Sequence, residues 1–147
     1  MFKNILIATD GSPRSRRAVA LAVKLARSLG ARVTGVFAAP PATPVIYRDG
    51  LPVGYATPER HARMIQGDAA RTLGIIERAA RKARVRCQVV QATSDFPAEV
   101  ILATAKKKKC DLIVMASHGR HGIRGVLLGS ETQKVLTASK LPVLVVR

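Results

Sequence analysis

The chain has 147 residues, with 25 lysines and arginines against 9 aspartates and glutamates, a formal net charge of +16. Its length suits one domain with a core of its own, and a hydrophobic fraction of 48% excludes wholesale disorder. The charge asks for an anionic partner (nucleic acid, anionic membrane or a phosphate ligand) without naming it.

No apolar run approaches the ~20 residues that span a bilayer. The opening apolar stretch is too short for a signal peptide and lacks a small-residue cleavage site. Cys87 and Cys110 stand apart, outside any CxxC pair, as reduced thiols do. The expectation is a cytoplasmic protein with no membrane contact and no metal site.

Residues 3–9 form a short apolar run closed by Asp10-Gly11, the pattern of a strand buried on both faces. Ser12-Pro13 supplies an N-cap and a proline at the first helical position. Ala18, Leu21, Ala22, Leu25, Ala26 and Leu29 then repeat at helical spacing until Gly30. Residues 33–38 read as a second strand. Residues 39–56, with four prolines at 40, 41, 44 and 52, read as a long irregular loop.

Thr57-Pro58-Glu59 opens the longest helix, with Met64, Ala70, Leu73, Ile75, Ile76 and Ala79 as core candidates and Gly67 and Gly74 as interruptions. Residues 85–92 read as a third strand, more polar and so at or near an edge. Ser94 or Asp95 caps a third helix from Pro97 to about Lys108, facing the core with Val100, Ile101 and Ala105. Residues 111–116 are the most apolar strand. A glycine-rich loop, a helix from Ser130 to about Ser139 and a last strand at 141–146 complete the chain.

Strands alternating with helices imply right-handed crossovers and a mainly parallel sheet. The predicted fold is α/β: one open five-stranded sheet in the order 3-2-1-4-5 with helices on both faces, Rossmann-like. In such sheets ligands bind at the carboxyl ends of the strands where the winding reverses. That crevice lies between Ala8-Thr9-Asp10 and Met115-Ala116-Ser117-His118-Gly119. Gly119 is followed after nine residues by Gly129-Ser130 at a helix start, and a helix N-terminus offers unpaired N–H groups to a phosphate. Ser130 is placed to cap that helix and to donate its hydroxyl, and Asp10 to bond sugar hydroxyls.

These segments, with Leu127-Leu128 and the closing Pro142-Val143-Leu144-Val145-Val146, resemble the ATP-binding branch of the universal stress protein family over essentially the whole chain. The family pattern Gly-x2-Gly-x9-Gly-Ser/Thr is met as Ala116-x2-Gly119-x9-Gly129-Ser130, with alanine at its first glycine. The resemblance implies a single domain over residues 1–147, an adenine-nucleotide-hydrolase-like fold and a regulatory, nucleotide-sensing role in the stress response. It also implies ATP as ligand, with Ala8, Thr9 and Asp10 at the adenosine and Ala38 at the adenine. Met115, Ala116, Gly119, Arg120, Gly129, Ser130, Glu131 and Thr132 would surround the ribose and phosphates. Glu131 repels a triphosphate unless Mg²⁺ lies between them, whereas Arg120 and Arg124 attract one. The last strand, Val143–Val146, would pair with its twin in a homodimer.

Plainer readings stand beside these. Asp10 also fits a turn residue, the loop glycines fit flexible connections, and His118 and His121, without a third ligand or a partner acid, read as solvent-facing loop residues. No catalytic residue is assigned. A slow ATPase or phosphotransferase is the alternative, although no P-loop lysine occurs. With few aromatics for stacking, the charge admits only a non-specific, salt-dependent contact with nucleic acid. Along the chain that charge is spread over the first three helices, as a solvated outer surface.

Overall fold

The computed structural model of the protein describes residues 1–39, 41, 45–55, 57–118 and 128–147. Ile5, Leu6 and Ile7 are wholly buried, so β1 (Asn4–Ala8) occupies the middle of its sheet with both faces covered. It is followed by α1 (Pro13–Leu29), β2 (Arg32–Ala39), β3 (Val45–Arg48), β4 (Leu51–Tyr55), α2 (Pro58–Lys82), β5 (Cys87–Thr93), α3 (Pro97–Lys107), β6 (Leu112–Ala116), α4 (Ser130–Ala138) and β7 (Val143–Val146). Five of the strands make one parallel sheet in the order β5-β2-β1-β6-β7. This is the expected 3-2-1-4-5 order, with the apolar β1 and β6 adjacent and the more polar β5 at an edge.

The helices divide by side-chain parity. Ile5 and Ile7 point to one face, where they meet Ala18, Ala22 and Ala26 of α1 and Ile76 of α2. Leu6 and Ala8 point to the other, with Ile101 of α3 and Val135 of α4. Gly35 of β2 admits Ile76: a Cβ there would stand 2.7 Å from Ile76 Cδ1.

The stretch expected to be an irregular loop contains an antiparallel hairpin, β3 against β4, with Arg48 opposite Leu51. Its two-residue turn is Asp49-Gly50, both at positive φ (52° and 78°). Such a pair suits the right-handed twist of the strands it joins. Pro52 fits a two-stranded edge despite its missing N–H.

Helix α2 runs unbroken through Gly67 and Gly74, started by Thr57, whose hydroxyl accepts from Arg60 N at 3.2 Å. Its buried face is Ala69, Thr72, Leu73, Ile76 and Ala80; the expected core residues Met64 and Ala70 are exposed, as is Leu21 of α1. Each of these three lies off the centre of its helix's buried arc. Helix α1 begins as expected, with Ser12 Oγ accepting from Ser15 N. Helix α3 does not: neither Ser94 nor Asp95 caps it, since its N-cap is Phe96, and Ser94 Oγ instead accepts from Phe96 N.

At the amino ends of the strands a buried polar chain crosses the sheet. Asn4, 1% exposed, accepts at Oδ1 from Thr34 Oγ1 (3.0 Å) and donates from Nδ2 to Lys108 O (2.9 Å). Gln88 Nε2 donates to Thr34 Oγ1, and Asp111 receives the Lys3 and Asn4 N–H groups. Every partner is hydrogen-bonded, which is the condition for such a group to be buried at little cost. No helix among the described residues is long and apolar enough to cross a membrane.

Candidate functional site

Where β1 and β6 diverge at their carboxyl ends, the structure opens a cleft of about 470 Å³. Topology puts it there: the connection after β1 leaves toward one face and that after β6 toward the other. Of the twelve residues expected at the site, Ala8, Thr9, Asp10, Ala38, Met115, Ala116, Gly129, Ser130, Glu131 and Thr132 line this cleft. Gly119 and Arg120 lie outside the described residues, as do His121 and Arg124.

The β1 corner is held by its own polar groups. Thr9 Oγ1 donates to Ser15 Oγ (3.1 Å) and accepts from Gly11 N (3.2 Å), while Asp10 Oδ1 accepts from Ser12 N (2.9 Å). Gly11 takes φ 79°, the left-handed conformation the sharp exit into α1 requires. Asp10 therefore serves the turn and also borders the cleft.

On the β6 side, Thr132 Oγ1 donates to Ala116 O at 2.9 Å and Gly129 N to Ser117 O at 2.7 Å, pinning the start of α4 against the strand end. The N-cap of α4 is Gly129 rather than Ser130, and no side chain caps it. Ser130 stands at the first helical position, exposed, and the amides of this first turn have no partner within the helix. A helix start with its dipole end uncapped favours an anion.

Glu131 lines the cleft with its carboxylate bonded to neighbouring groups. Its Oε2 accepts from Ala98 N (2.9 Å) and its Oε1 from Lys134 Nζ (2.8 Å). It supplies to α3 the acceptor that Phe96 lacks.

His118 is buried, contrary to the expectation of a solvent-facing loop residue. Its Nδ1 lies 3.2 Å from Ser117 Oγ, and its Nε2 has no partner among the described residues.

The lining also includes Ser15, Val36, Phe37, Ser94, Asp95, Pro97, Ile101 and His118. Val36 and Phe37 adjoin Ala38 and were within reach of a strand-end argument. Residues 94–97 arrive from the β5–α3 connection, and no local pattern marks them. Asp10, Asp95 and Glu131 are the charged residues of the described lining, which holds no lysine or arginine. No cluster of three or more potential metal ligands occurs among the described residues.

The family model described as "Universal stress protein family" matches residues 1–147. A universal stress protein of Thermus aquaticus is 33% identical over 147 residues, covering all of both chains. The Bacillus subtilis universal stress protein YxiE is 34% identical over 151 aligned residues, again covering both in full. Among solved structures, UspA of Lactobacillus plantarum superposes with a TM-score of 0.77 at 22% identity, over 99% of this chain and 97% of that one. A universal stress protein solved in complex with cAMP has a TM-score of 0.68 at 25% identity, over 99% and 97%. A family match along the full length, together with a third of residues shared with relatives of equal extent, makes this chain a member of the universal stress protein family.

Proposed function

We propose that the cleft binds an adenine nucleotide, with ATP as the physiological ligand, and that occupancy regulates the protein's partners in a stress response. The observation that carries this reading is the cleft itself. A strand-end crevice at the winding reversal meets the uncapped amino end of α4, with Ala38, Val36 and Phe37 forming an apolar wall suited to a base. The cAMP-bound relative supports the ligand class.

Backbone N–H groups of the α4 start would receive a phosphate, and Arg120 and Arg124, which the sequence puts between β6 and α4, would supply cations. With Asp10, Asp95 and Glu131 around the rim, a triphosphate is better accommodated as its Mg²⁺ complex. The sequence has no P-loop lysine, and binding rather than turnover is the function proposed. The protein acts in the cytoplasm as a homodimer through β7, an edge strand whose Leu144 is exposed.

The test is to denature the purified protein and chromatograph what it releases, then to follow thermal unfolding with added Mg-ATP. Nucleotide in the released fraction and a rising melting temperature are expected, since a ligand at a hundredfold excess over its Kd stabilises by ~2.7 kcal/mol. Neither adenine compound nor shift would sink the reading. Leu144→Asp is expected to halve the mass in light scattering if β7 is the dimer seam.

A further inference from the structure

The cations that looks spread along the chain are gathered on one side of the sheet by the topology. Helix α1 carries Arg14, Arg16, Arg17, Lys24 and Arg27 with no acid, and α2 carries six cations against Glu59, Asp68 and Glu77, so this layer holds +8. The opposite helices, α3 and α4, have Lys106, Lys107 and Lys134 against Glu99 and Glu131, +1 within their bounds, with Lys108 and Lys109 directly after α3.

The arrangement on α2 is sharper than a sum. At 3.6 residues per turn, Arg60, Arg63, Arg71, Arg78, Arg81 and Lys82 fall within an arc of roughly 100°, directly opposite the buried Ala69, Ile76 and Ala80. They form a crest roughly 33 Å long. Gly67 and Gly74, the two residues that argued against a continuous helix, sit inside this arc. Nothing lies within 4 Å of where a Cβ would stand on Gly67, and a hollow of about 310 Å³ there is flanked by Arg60, Arg63 and Arg71, with Met64 and Asp68 also in its lining. At Gly74 the Arg78 guanidinium lies across the helix, with Nη1 2.9 Å from the place of a Cβ.

A solvated helix face ordinarily mixes acids and bases at i,i+3 and i,i+4, where opposite charges stabilise and like charges repel. Here Arg60 with Arg63, and Arg78 with Arg81 and Lys82, are like pairs. Among the described residues only Arg71 of these six has an ion-pair partner, Asp68 on the flank. Five of the six are arginines, whose planar fork matches phosphate oxygens.

We infer that the crest of α2, flanked by the exposed cations of α1, is a docking surface for the phosphate backbone of duplex DNA, read without regard to sequence. Helices α1 and α2 contain no Phe, Tyr or Trp, so the stacking platforms of single-strand binders are missing. The exposed large apolar residues on the two helices are Leu21 and Met64, too little to anchor in a bilayer. The surface lies on the outer side of α2, away from the strand-end cleft.

The experiment measures binding of the full chain to a random-sequence duplex of about 25 base pairs as salt is raised, expecting log K against log salt to fall with a slope near −5 for six phosphate contacts. The triple variant Arg60→Gln, Arg63→Gln, Arg78→Gln is expected to make that slope about three units less negative. The matched variant Lys106→Gln, Lys107→Gln, Lys140→Gln, the last an exposed residue between α4 and β7, is expected to leave it nearly unchanged. Equal losses from the two triples would reduce the effect to total charge and overturn the assignment to α2. So would binding to phosphatidylserine vesicles without binding to the duplex at about 0.15 M salt. Lysine at the same three crest positions keeps the charge and should keep the slope; a slope lost with lysine would equally overturn it.

Discussion

The Glu131 carboxylate on α4 accepts a hydrogen bond from the backbone N–H of Ala98 in the first turn of α3, at 2.9 Å. Helix α3 has no side-chain cap of its own. One acidic residue at the start of α4 thus closes the start of α3 as well, and joins the two helices that cover one face of the sheet. The carboxylate also complements the dipole of both helices.

Glu131→Ala should therefore cost about 1 kcal/mol, the usual worth of a helix cap. Glu131→Gln keeps an acceptor oxygen for Ala98 N and should cost less. Urea denaturation of the three proteins measures the difference, and a loss confined to the Gln variant would contradict the capping role.

Asn4 is the centre of the buried polar chain, with Thr34 donating to it and Lys108 O accepting from it. Removing its amide leaves the buried Thr34 hydroxyl without its acceptor, though Gln88 still donates to it, and leaves the part-buried Lys108 O without its donor. Asn4→Ala should destabilise by roughly 2–3 kcal/mol, more than an exposed hydrogen bond would explain. The double variant with Thr34→Val removes one orphan, so its cost should fall short of the sum of the singles.

Two helices end on a basic residue in the left-handed conformation where glycine is usual: Arg84 at φ 56° and Lys109 at φ 53°. Around Lys109 the bonds Cys110 N to Ala105 O (2.8 Å) and Lys109 N to Lys106 O (3.1 Å) form a Schellman end. Glycine carries no Cβ penalty there, so Lys109→Gly should raise stability by about 1 kcal/mol. Thermal unfolding that fell instead would show that the lysine side chain contributes more than its backbone costs.

Burial, with a smaller contribution from the nearby Glu77, pushes the Cys87 thiol up to about 11. At pH 8 its thiolate fraction is then roughly a hundredfold below that of an unperturbed cysteine, and reaction with a disulfide reagent should be correspondingly slow. Between its ordinary value and 11 the native protein holds a proton that the unfolded chain has released. Stability should consequently fall as pH rises through that window, and be indifferent to this group below it. Cys87→Ser should remove that part of the alkaline loss in denaturation curves taken between neutral pH and pH 11.

Much of the fold is legible because its signals are local. Continuous apolar runs at 5–8 and 112–116 mark doubly covered strands, and Ser12-Pro13 and Gly30 bracket α1 as their backbone chemistry requires. The hairpin was legible too, since Asp49-Gly50 is a strong two-residue turn signal, but the prolines around it masked the strands. The cap of α3 was not, because its acceptor lies thirty-three residues away on another helix. The burial of His118 was not legible either, since no pattern in its neighbouring residues marks it.

By itself the sequence determined the five strands of the main sheet and the four helices, the strand order and the two strand ends that frame the cleft, since period, caps and crossover handedness act over a few residues or one connection. It also determined the +16, but not where that charge stands. Only the tertiary structure decided that Glu131 serves a neighbouring helix, that Ser94, Asp95 and Pro97 border the cleft, and that α1 and α2 share a face of the sheet while α3 takes the other. Each of these depends on distances between segments far apart in the chain, which packing sets and no local pattern records.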